Sequence, residues 1–314
     1  MPTKRPTLRI GTRGSALARW QAEWIAAELT LLGHAVQLVP IKTQGDVTTG
    51  SLKQSGGVGL FTKELQRALL DERIDVAVHS LKDLPTAPVP GLALAAVPRR
   101  APTGDCLVIR ESLGVRDDAP ALASLPPEAV IGTGSVRRRA QLLHARPDLD
   151  IRDIRGNVET RLSKLDAGDY DAIVLAQAGL VRLGFVERAT QVLPAEIMLP
   201  AVGQGALGIE ARAEDGVILD RLRPLNDAAS FAAVTAERRL LLALRAGCLA
   251  PVGALAQDGD GRLVLEAVVL SARGERRITA RSAGERNAAE SLGQRVAEEL
   301  LASGAAELIQ AEHA

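Results

Sequence analysis

Two stretches of similar sequence decide the expected fold: RIGTRGSALARWQ at Arg9–Gln21 and VIGTGSVRRRAQ at Val130–Gln141. In both, a short apolar run leads through a Gly/Ser turn into a helical pattern. Ser15 and Ser135 stand where a helix N-cap is expected, because a serine hydroxyl accepts a hydrogen bond from the first helical turn. The repeated strand–turn–helix pattern predicts two lobes that share one architecture.

The likeness between the two halves extends further along the chain. DVAVHS at Asp75–Ser80 matches DAIVLA at Asp171–Ala176, and both runs are typical of buried strands. Strands that alternate with helices predict the α/β class. We therefore expect two lobes of the type II periplasmic-binding-protein-like fold around a cleft, with helix N-termini that favour anions at its edge.

The remaining pattern gives the expected domain organisation. The helix after Ser15 is expected to reach about Leu31, and its apolar face is predicted to be Leu17, Trp20, Trp24 and Ala27. Proline and turn residues predict loops at 85–102, 120–127 and 194–208. After about Ala228 a helix, three strands and a closing helix predict a small α+β domain. The expected domains are 1–102 with 203–225, 103–202, and 226–314.

The composition excludes several classes of function. The 314 residues carry 38 basic and 38 acidic side chains, and only 2% are aromatic. A nucleic-acid binder usually has a basic domain and aromatic stacking platforms. The two cysteines, Cys106 and Cys248, and four scattered histidines predict neither a disulfide framework nor a metal site. The absence of a long apolar segment and of a leader predicts a cytoplasmic protein that does not bind membranes.

Positive charge is concentrated in one segment of this charge-balanced chain. Seven arginines lie within 25 residues: Arg137, Arg138, Arg139, Arg146, Arg152, Arg155 and Arg161. Guanidinium groups bind carboxylates or phosphates with two parallel hydrogen bonds. The cluster predicts a small ligand that carries many negative charges.

Eight motifs in order resemble those of the porphobilinogen deaminase (hydroxymethylbilane synthase) family. They cover the chain almost end to end: GTRGSALARWQ at 11–21, KTQGD at 42–46, GLFTKELQRALL at 59–70, DVAVHSLKDLPT at 75–86, IGTGSVRRRAQL at 131–142, RGNVETRLSKLDAGDYDAIVLAQAGLVRLG at 155–184, LPAVGQGALGIE at 199–210 and AGC at 246–248. The resemblance implies a monomeric transferase that condenses four molecules of porphobilinogen head to tail, releasing ammonia. Its product is the linear tetrapyrrole hydroxymethylbilane, made on a covalent dipyrromethane cofactor joined to a cysteine.

The resemblance also implies roles for individual residues. Cys248 matches the cofactor-bearing cysteine, and Asp83 matches the catalytic carboxylate. The matching cofactor-binding residues are Ser80, Lys82, Thr133, Ser135, Arg137 and Arg138. The matching substrate-binding residues are Arg13, Ser15, Gln21, Phe61, Arg155, Arg161, Arg182 and Gln204, with a proton-transfer role for Arg155. The many arginines fit a chain of pyrroles, because each ring carries an acetate and a propionate.

This chain departs from the family pattern at two places. Ala246 and Leu249-Ala250 flank the cysteine turn where the family usually has other residues. In the segment 53–61, which resembles the family's active-site loop, Gln54 and Val58 occupy usual lysine positions. These differences bear on turn packing and on loop closure over carboxylates.

Plainer structural roles remain open for the same residues. A lone cysteine is most often a core residue, which is the role expected for Cys106. An aspartate before Leu-Pro is most often a turn residue. Arg139, Arg146 and Arg152 match no family position and fit a solvated face equally well. His79 and Ser80 are not expected to act as a nucleophile pair, because neighbours along a strand point to opposite faces.

Three other functions are compatible with parts of the sequence. A non-enzymatic binding protein for a carboxylate metabolite would share the fold but would not need Cys248. The effector module of a transcription regulator would need a DNA-binding domain, and no helix-turn-helix precedes Leu8. An inactive family member would be expected to have lost Asp83 or Cys248.

Overall fold

The structure is a computed structural model that describes residues 6–42, 62–114, 121–247, 250–259 and 262–310. Its strands are β1 Leu8–Thr12, β2 Val36–Pro40, β3 Val76–Ser80, β4 Leu92–Ala96, β5 Asp105–Ile109, β6 Val130–Gly132, β7 Asp150–Arg152, β8 Ala172–Ala176, β9 Gln191–Val192, β10 Leu207–Arg212, β11 Val252–Gly259, β12 Arg262–Leu270 and β13 Arg277–Glu285. Its α-helices are α1 Ala16–Leu31, α2 Lys63–Leu70, α3 Ala121–Ser124, α4 Val136–Ala145, α5 Val158–Asp166, α6 Gln177–Arg182, α7 Gly216–Leu222, α8 Ala228–Ala243, α9 Ala289–Ala302 and α10 Ala305–Gln310.

Two five-stranded sheets have the same arrangement. The first has the order β2-β1-β3-β10-β4 and the second β7-β6-β8-β5-β9. In each, the second strand pairs in parallel with the first and third, whereas the fourth strand runs antiparallel to both of its neighbours. This equivalence confirms the predicted pair of α/β lobes.

The third sheet is antiparallel, in the order β11-β12-β13. Helix α9 packs on β12 and β13, and α10 packs on β12. The core between them is made of small and aliphatic side chains, among them Leu240, Leu265, Val296 and Leu300, all fully buried. The predicted α+β region after Ala228 therefore has the expected elements, with α10 in addition.

The chain forms two compact units: Met1–Ala101 with Ala206–Phe231, and Pro102–Gly205 with Ala232–Ala314. The first contains the first sheet, and the second contains the other two. Within the second unit, the β12–β13 turn contacts α4, since Gly274 O lies 2.8 Å from His144 Nδ1. The expected division into three domains stays a prediction.

Two predictions about local structure were wrong. Helix α1 buries Gln21, Ala22, Ile25 and Leu29 rather than the predicted face. The larger side chains Trp20 and Trp24 are only partly buried and Ala27 is exposed, whereas Ala22, Ile25 and Leu29 belong to the core of the first sheet.

Strand β4 lies inside the stretch 85–102 that was predicted to be a loop, and β10 begins inside 194–208. Flanking prolines obscured β4, which is an edge strand, the position where a sheet tolerates nearby proline.

Within the described ranges, no helix is both long and apolar enough to cross a bilayer.

Candidate functional site

A pocket in the first unit lies where β1 and β3 end and α1 begins. The Ser15 hydroxyl caps α1 by accepting a hydrogen bond from Ala18 N at 3.4 Å, as the sequence predicts. The lining residues are Arg13, Ser15, Leu17, Ala18, Gln21, Thr62, Val78, His79, Ser80 and Asp83. The pocket thus brings together five residues predicted from the sequence.

Gln21 fixes the hydroxyl at the end of β3. Its side chain is buried, and Nε2 donates a hydrogen bond to Ser80 Oγ at 2.8 Å. The two residues are 59 positions apart in the chain, so the bond joins α1 to β3. It leaves the Ser80 hydroxyl proton available to a ligand in the pocket.

Asp83 stands at the end of a short 3₁₀ turn, Leu81–Asp83, that directly follows β3. Leu81 is buried, and its N–H donates to Ala206 O at 3.0 Å. The turn is closed by a bond from Leu84 N to Leu81 O at 3.1 Å. Anchored backbone on both sides therefore fixes the point from which the half-buried Asp83 carboxylate enters the pocket.

His79 has its own partner on the opposite side of β3. Its Nε2 lies 3.0 Å from Glu210 Oε2, and both side chains are buried. Gln66 Nε2 donates to both oxygens of Glu210, at 3.1 and 3.2 Å. Gln66 therefore holds Glu210 beside the imidazole, while the Ser80 hydroxyl pairs with Gln21.

In the second unit, the predicted hydroxyl residues Thr133 and Ser135 lie at the N-terminus of α4. Ser135 N donates to Thr133 Oγ1 at 3.2 Å, and Ser135 Oγ accepts from Arg138 N at 3.4 Å. The serine is therefore the N-cap predicted from the sequence. The dipole of α4 favours negative charge at this end of the helix.

Arg137 and Arg138 lie in the first turn of α4, are buried, and share the Asp105 carboxylate. Arg137 Nη1 donates to Asp105 Oδ2 at 2.8 Å and to Leu199 O at 2.6 Å. Arg138 donates to Asp105 Oδ1 from Nε at 3.0 Å and from Nη2 at 2.7 Å, and to Val174 O from Nη1 at 2.8 Å. Burial lowers the pKa of Arg137, although Asp105 opposes the change.

Gln204 joins the same cluster. It is fully buried, and its Nε2 donates to Asp105 Oδ1 at 3.0 Å and to Thr103 O at 2.8 Å. The preceding Gly203 N donates to Glu237 Oε2 at 2.8 Å, and Glu237 Oε1 accepts from Ala256 N at 2.8 Å. One network therefore links α4, the Gly203 turn and β11.

The other predicted arginines in this unit have different surroundings. Burial lowers the pKa of Arg182 to about 10, and its Nη2 donates to Gly205 O at 2.8 Å. Arg155 and Arg161 are half-buried; Arg155 Nε donates to Asp153 at 2.8 Å and Arg161 Nε to Gly156 O at 2.9 Å. Each of the three guanidiniums therefore has a hydrogen-bond acceptor within the protein.

The three arginines without a family match differ in their contacts. Arg152 is exposed and pairs with Asp150, which fits a solvated face. Arg139 donates to Ile151 O at 2.6 Å, and Arg146 donates to Leu122 O at 2.9 Å as well as to Asp148. The last two therefore tie backbone segments together.

Sequence reasoning missed the carboxylates that organise these side chains. Asp105 and Glu237 are fully buried, and Glu210 is buried beside His79. The only sequence signal is an acidic residue next to or within an apolar run, as in DCLVI at 105–109. Such a carboxylate must be paired to be buried, and its partners are distant in sequence.

Several predicted positions lie outside the described residues: Phe61, Cys248 and the loop 53–61. Cys106, by contrast, is fully buried in the second sheet. Burial raises the pKa of its thiol to about 11, with the Asp105 charge acting in the same direction. Because thiolate is the reactive form, a raised pKa makes this thiol unreactive. Cys106 is therefore a core residue, as expected.

Comparison with known proteins decides the family. The model described as "Porphobilinogen deaminase, dipyromethane cofactor binding domain" matches residues 8–220, and "Porphobilinogen deaminase, C-terminal domain" matches 231–302. The chain belongs to the porphobilinogen deaminase family.

Curated relatives support the assignment to this family, because their sequences match over most of their length. The porphobilinogen deaminase of Desulforudis audaxviator is 52% identical over 278 residues, 88% of each chain. That of Acidothermus cellulolyticus is 48% identical over 309 residues, 97% of this chain and 91% of the other. The BvgS VFT2 domain of Bordetella pertussis matches with a TM-score of 0.40 and 16% identity over 69% of this chain and 85% of that one, a likeness too small to support an argument.

Membership of the porphobilinogen deaminase family gives the reaction. The enzyme is a transferase of tetrapyrrole biosynthesis that condenses four porphobilinogen molecules on a dipyrromethane cofactor and releases hydroxymethylbilane. In the part of the chain that the structure describes, no three His, Cys, Asp or Glu side chains form a metal-binding group.

Proposed function

We propose that Asp83 is the catalytic carboxylate of this enzyme. The observation that carries the proposal is that Asp83 and the Arg13 cation line one pocket, with Asp83 on an anchored turn. An ionised carboxylate accepts hydrogen bonds from pyrrole N–H groups and stabilises positive charge that develops as ammonia leaves. Its second role is to take up the proton lost from the attacked ring carbon.

The residues beside Asp83 are proposed to bind and orient the pyrroles. Ser80, whose oxygen is fixed by Gln21, and Lys82 on the same turn would hold the cofactor. Arg13, Ser15 and Gln21 would hold the incoming substrate, because guanidinium and hydroxyl groups donate to its carboxylates. Catalysis by this pocket is therefore mainly positioning and electrostatic stabilisation.

Cys248 is the proposed attachment point of the cofactor. A thiolate is the side chain best suited to trap the electrophilic methylene that remains when porphobilinogen loses ammonia. The dipyrromethane group supplies, when bound, the pyrrole carbon to which the first substrate is joined.

The cluster at the start of α4 fits a group that carries carboxylates. Two guanidiniums share one carboxylate, so Arg137, Arg138 and Asp105 together keep one net positive charge. Thr133 and Ser135 add hydroxyl groups at the same helix end. We assign these four predicted residues, Thr133, Ser135, Arg137 and Arg138, to cofactor binding, with Asp105 holding the arginines in place.

The remaining arginines would neutralise the growing product. Each added pyrrole brings an acetate and a propionate, so negative charge accumulates with every step. Arg155, Arg161 and Arg182 are the proposed partners of these carboxylates. Phe61, by packing, and Gln204, by holding Asp105, are proposed to complete the substrate site. Arg155 is also proposed to assist proton transfer.

The organisation of the enzyme is proposed on the same basis. We propose three domains, 1–102 with 203–225, 103–202, and 226–314, because each then contains one complete sheet, with β10 joining the first sheet through residues 203–225. The enzyme is proposed to act as a cytoplasmic monomer without nucleic-acid or membrane partners, which fits the balanced charge of 38 basic and 38 acidic residues.

Turnover of porphobilinogen by Asp83→Asn tests the catalytic assignment. The amide keeps the shape of the side chain but removes its charge, so turnover is expected to fall about 100-fold or more. Asp83→Glu should retain more activity than the amide. Asp220→Asn, which alters an exposed carboxylate paired with Arg223, is the matched control and should be fully active. Near-normal turnover by Asp83→Asn would refute the assignment.

A further inference from the structure

Thr62 contributes to the Asp83 pocket in a way that the motifs do not explain. It stands directly before helix α2, at the N-cap position, and it lines the pocket together with Arg13, Ser80 and Asp83. An N-cap threonine with extended backbone accepts a hydrogen bond from the first helical turn, whereas Thr62 has αR backbone dihedrals (φ −117°, ψ −29°). Thr62 makes no such bond.

The Thr62 hydroxyl is buried without a partner. The residue is 1% exposed, and among the described parts of the chain its Oγ1 has no hydrogen-bond partner. A buried hydroxyl that makes no hydrogen bond costs about 1–3 kcal/mol. Most buried polar groups in proteins are paired, so an unpaired one beside a pocket calls for an explanation.

A second donor set lies at the same place. The first N–H groups of a helix have no partner within the helix, and the helix dipole favours negative charge there. Helix α2 has eight residues, Lys63–Leu70, and its N-terminus is at Thr62. Glu64 is in the same turn, but its side chain has interactions of its own.

From these observations we propose that Thr62 and the start of α2 form a carboxylate-binding subsite of the Asp83 pocket. The hydroxyl donates one hydrogen bond to a carboxylate oxygen, and the helix N-terminus stabilises its charge. This deepens the proposed function and rests on it, because the ligand would be an acetate or propionate of a pyrrole ring. The ring can belong either to incoming porphobilinogen or to the bound dipyrromethane.

The test is Thr62→Val, which replaces the hydroxyl with a methyl group of nearly the same shape. Without ligand, the variant should be as stable as the wild type or more stable, because a buried unpaired hydroxyl is removed. With ligand, it should lose a hydrogen bond to a charged group, an effect of about tenfold. Stability gained together with binding lost is a combination that a purely structural threonine would not give.

Two measurements distinguish the sources of the carboxylate. If the subsite holds the substrate, the KM for porphobilinogen rises about tenfold in the holoenzyme while kcat changes little. If it holds the cofactor, KM is unchanged but the apoprotein gains its covalent adduct more slowly from porphobilinogen, as followed by intact mass. Thr62→Ser, which keeps the hydroxyl, should restore whichever quantity changes.

Thr190→Val is the matched control. Thr190 Oγ1 accepts a hydrogen bond from Ile109 N at 3.0 Å, so this variant should lose stability without any change in KM or adduct formation. Unchanged KM and unchanged adduct formation in Thr62→Val would overturn the subsite, and so would a loss of stability like that of Thr190→Val. Wild-type turnover, measured alongside, reports separately on the proposed function.

Discussion

Arg138 donates two hydrogen bonds to one oxygen of Asp105, Oδ1, from Nε at 3.0 Å and from Nη2 at 2.7 Å, while Arg137 donates to the other oxygen, Oδ2. Asp105 is fully buried, and both arginines are nearly so. A buried carboxylate between two guanidiniums compensates charges that would otherwise repel each other. The positions of both predicted cofactor-binding arginines therefore depend on a residue outside the family motifs quoted from the sequence.

Asp105→Asn should destabilise the second unit strongly. The amide removes the only negative charge described between two buried guanidiniums, which is expected to lower the free energy of unfolding by about 3–5 kcal/mol. Urea unfolding followed by circular dichroism measures this.

Asp148→Asn is the control, because the Arg146–Asp148 pair is at the surface and should contribute little. Equal urea midpoints for the two variants would contradict the role assigned to Asp105.

Asp75 should make stability depend on pH in acid. Burial alone would raise its pKa, but hydrogen bonds from Arg9 outweigh burial and bring the pKa below the ordinary 3.8. A lowered pKa means that the contribution of Asp75 is present above pH 3.8 and is lost as the pH falls through the folded-state value.

The difference in urea midpoint between wild type and Asp75→Asn should therefore be large at pH 7 and shrink below about pH 4. Asp220→Asn, at an exposed pair, should show a small difference at every pH. A gap for Asp75→Asn that widens in acid would contradict this account.

Gly274→Ala should disrupt the contact between the β12–β13 turn and α4. Gly274 has a φ of +76°, and an added Cβ would clash with Ala140 O and with the backbone of His144. The clash should add about 1–3 kcal/mol to the cost of the left-handed backbone.

Gly33→Ala isolates the backbone effect. Gly33 has a similar φ of +81°, and an added Cβ there meets nothing within 4 Å. Thermal unfolding should therefore show a smaller loss for Gly33→Ala, and equal losses would show that the turn can move away from α4.

The local parts of the fold were accessible from the sequence. Ser15 and Ser135 mark the starts of α1 and α4 through hydrogen bonds that form within three residues. The repeated strand motifs likewise gave the two lobes, because strand and helix periodicities are local properties. The buried face of α1 was wrong, since it depends on which side chains the sheet can accommodate.

The buried carboxylates that hold the site residues in position could not be predicted from the sequence. Asp105 lies 32 and 33 residues from its arginines and 99 from Gln204, and Glu210 lies 144 from Gln66. No local pattern encodes such pairings, because they arise only when distant strands and helices meet. The residues predicted to touch ligands came instead from motif resemblance, which does not report what holds them in position.

The most direct test of the central claim is the intact mass of the purified protein, compared among wild type, Cys248→Ala and Cys106→Ala after incubation with porphobilinogen. Cys106 is the matched control, because its thiol is buried and its pKa is raised to about 11. We predict a mass excess of two linked pyrrole units in the wild type and in Cys106→Ala, and none in Cys248→Ala. An excess that persists in Cys248→Ala, or a wild type that stays unmodified, would contradict the account.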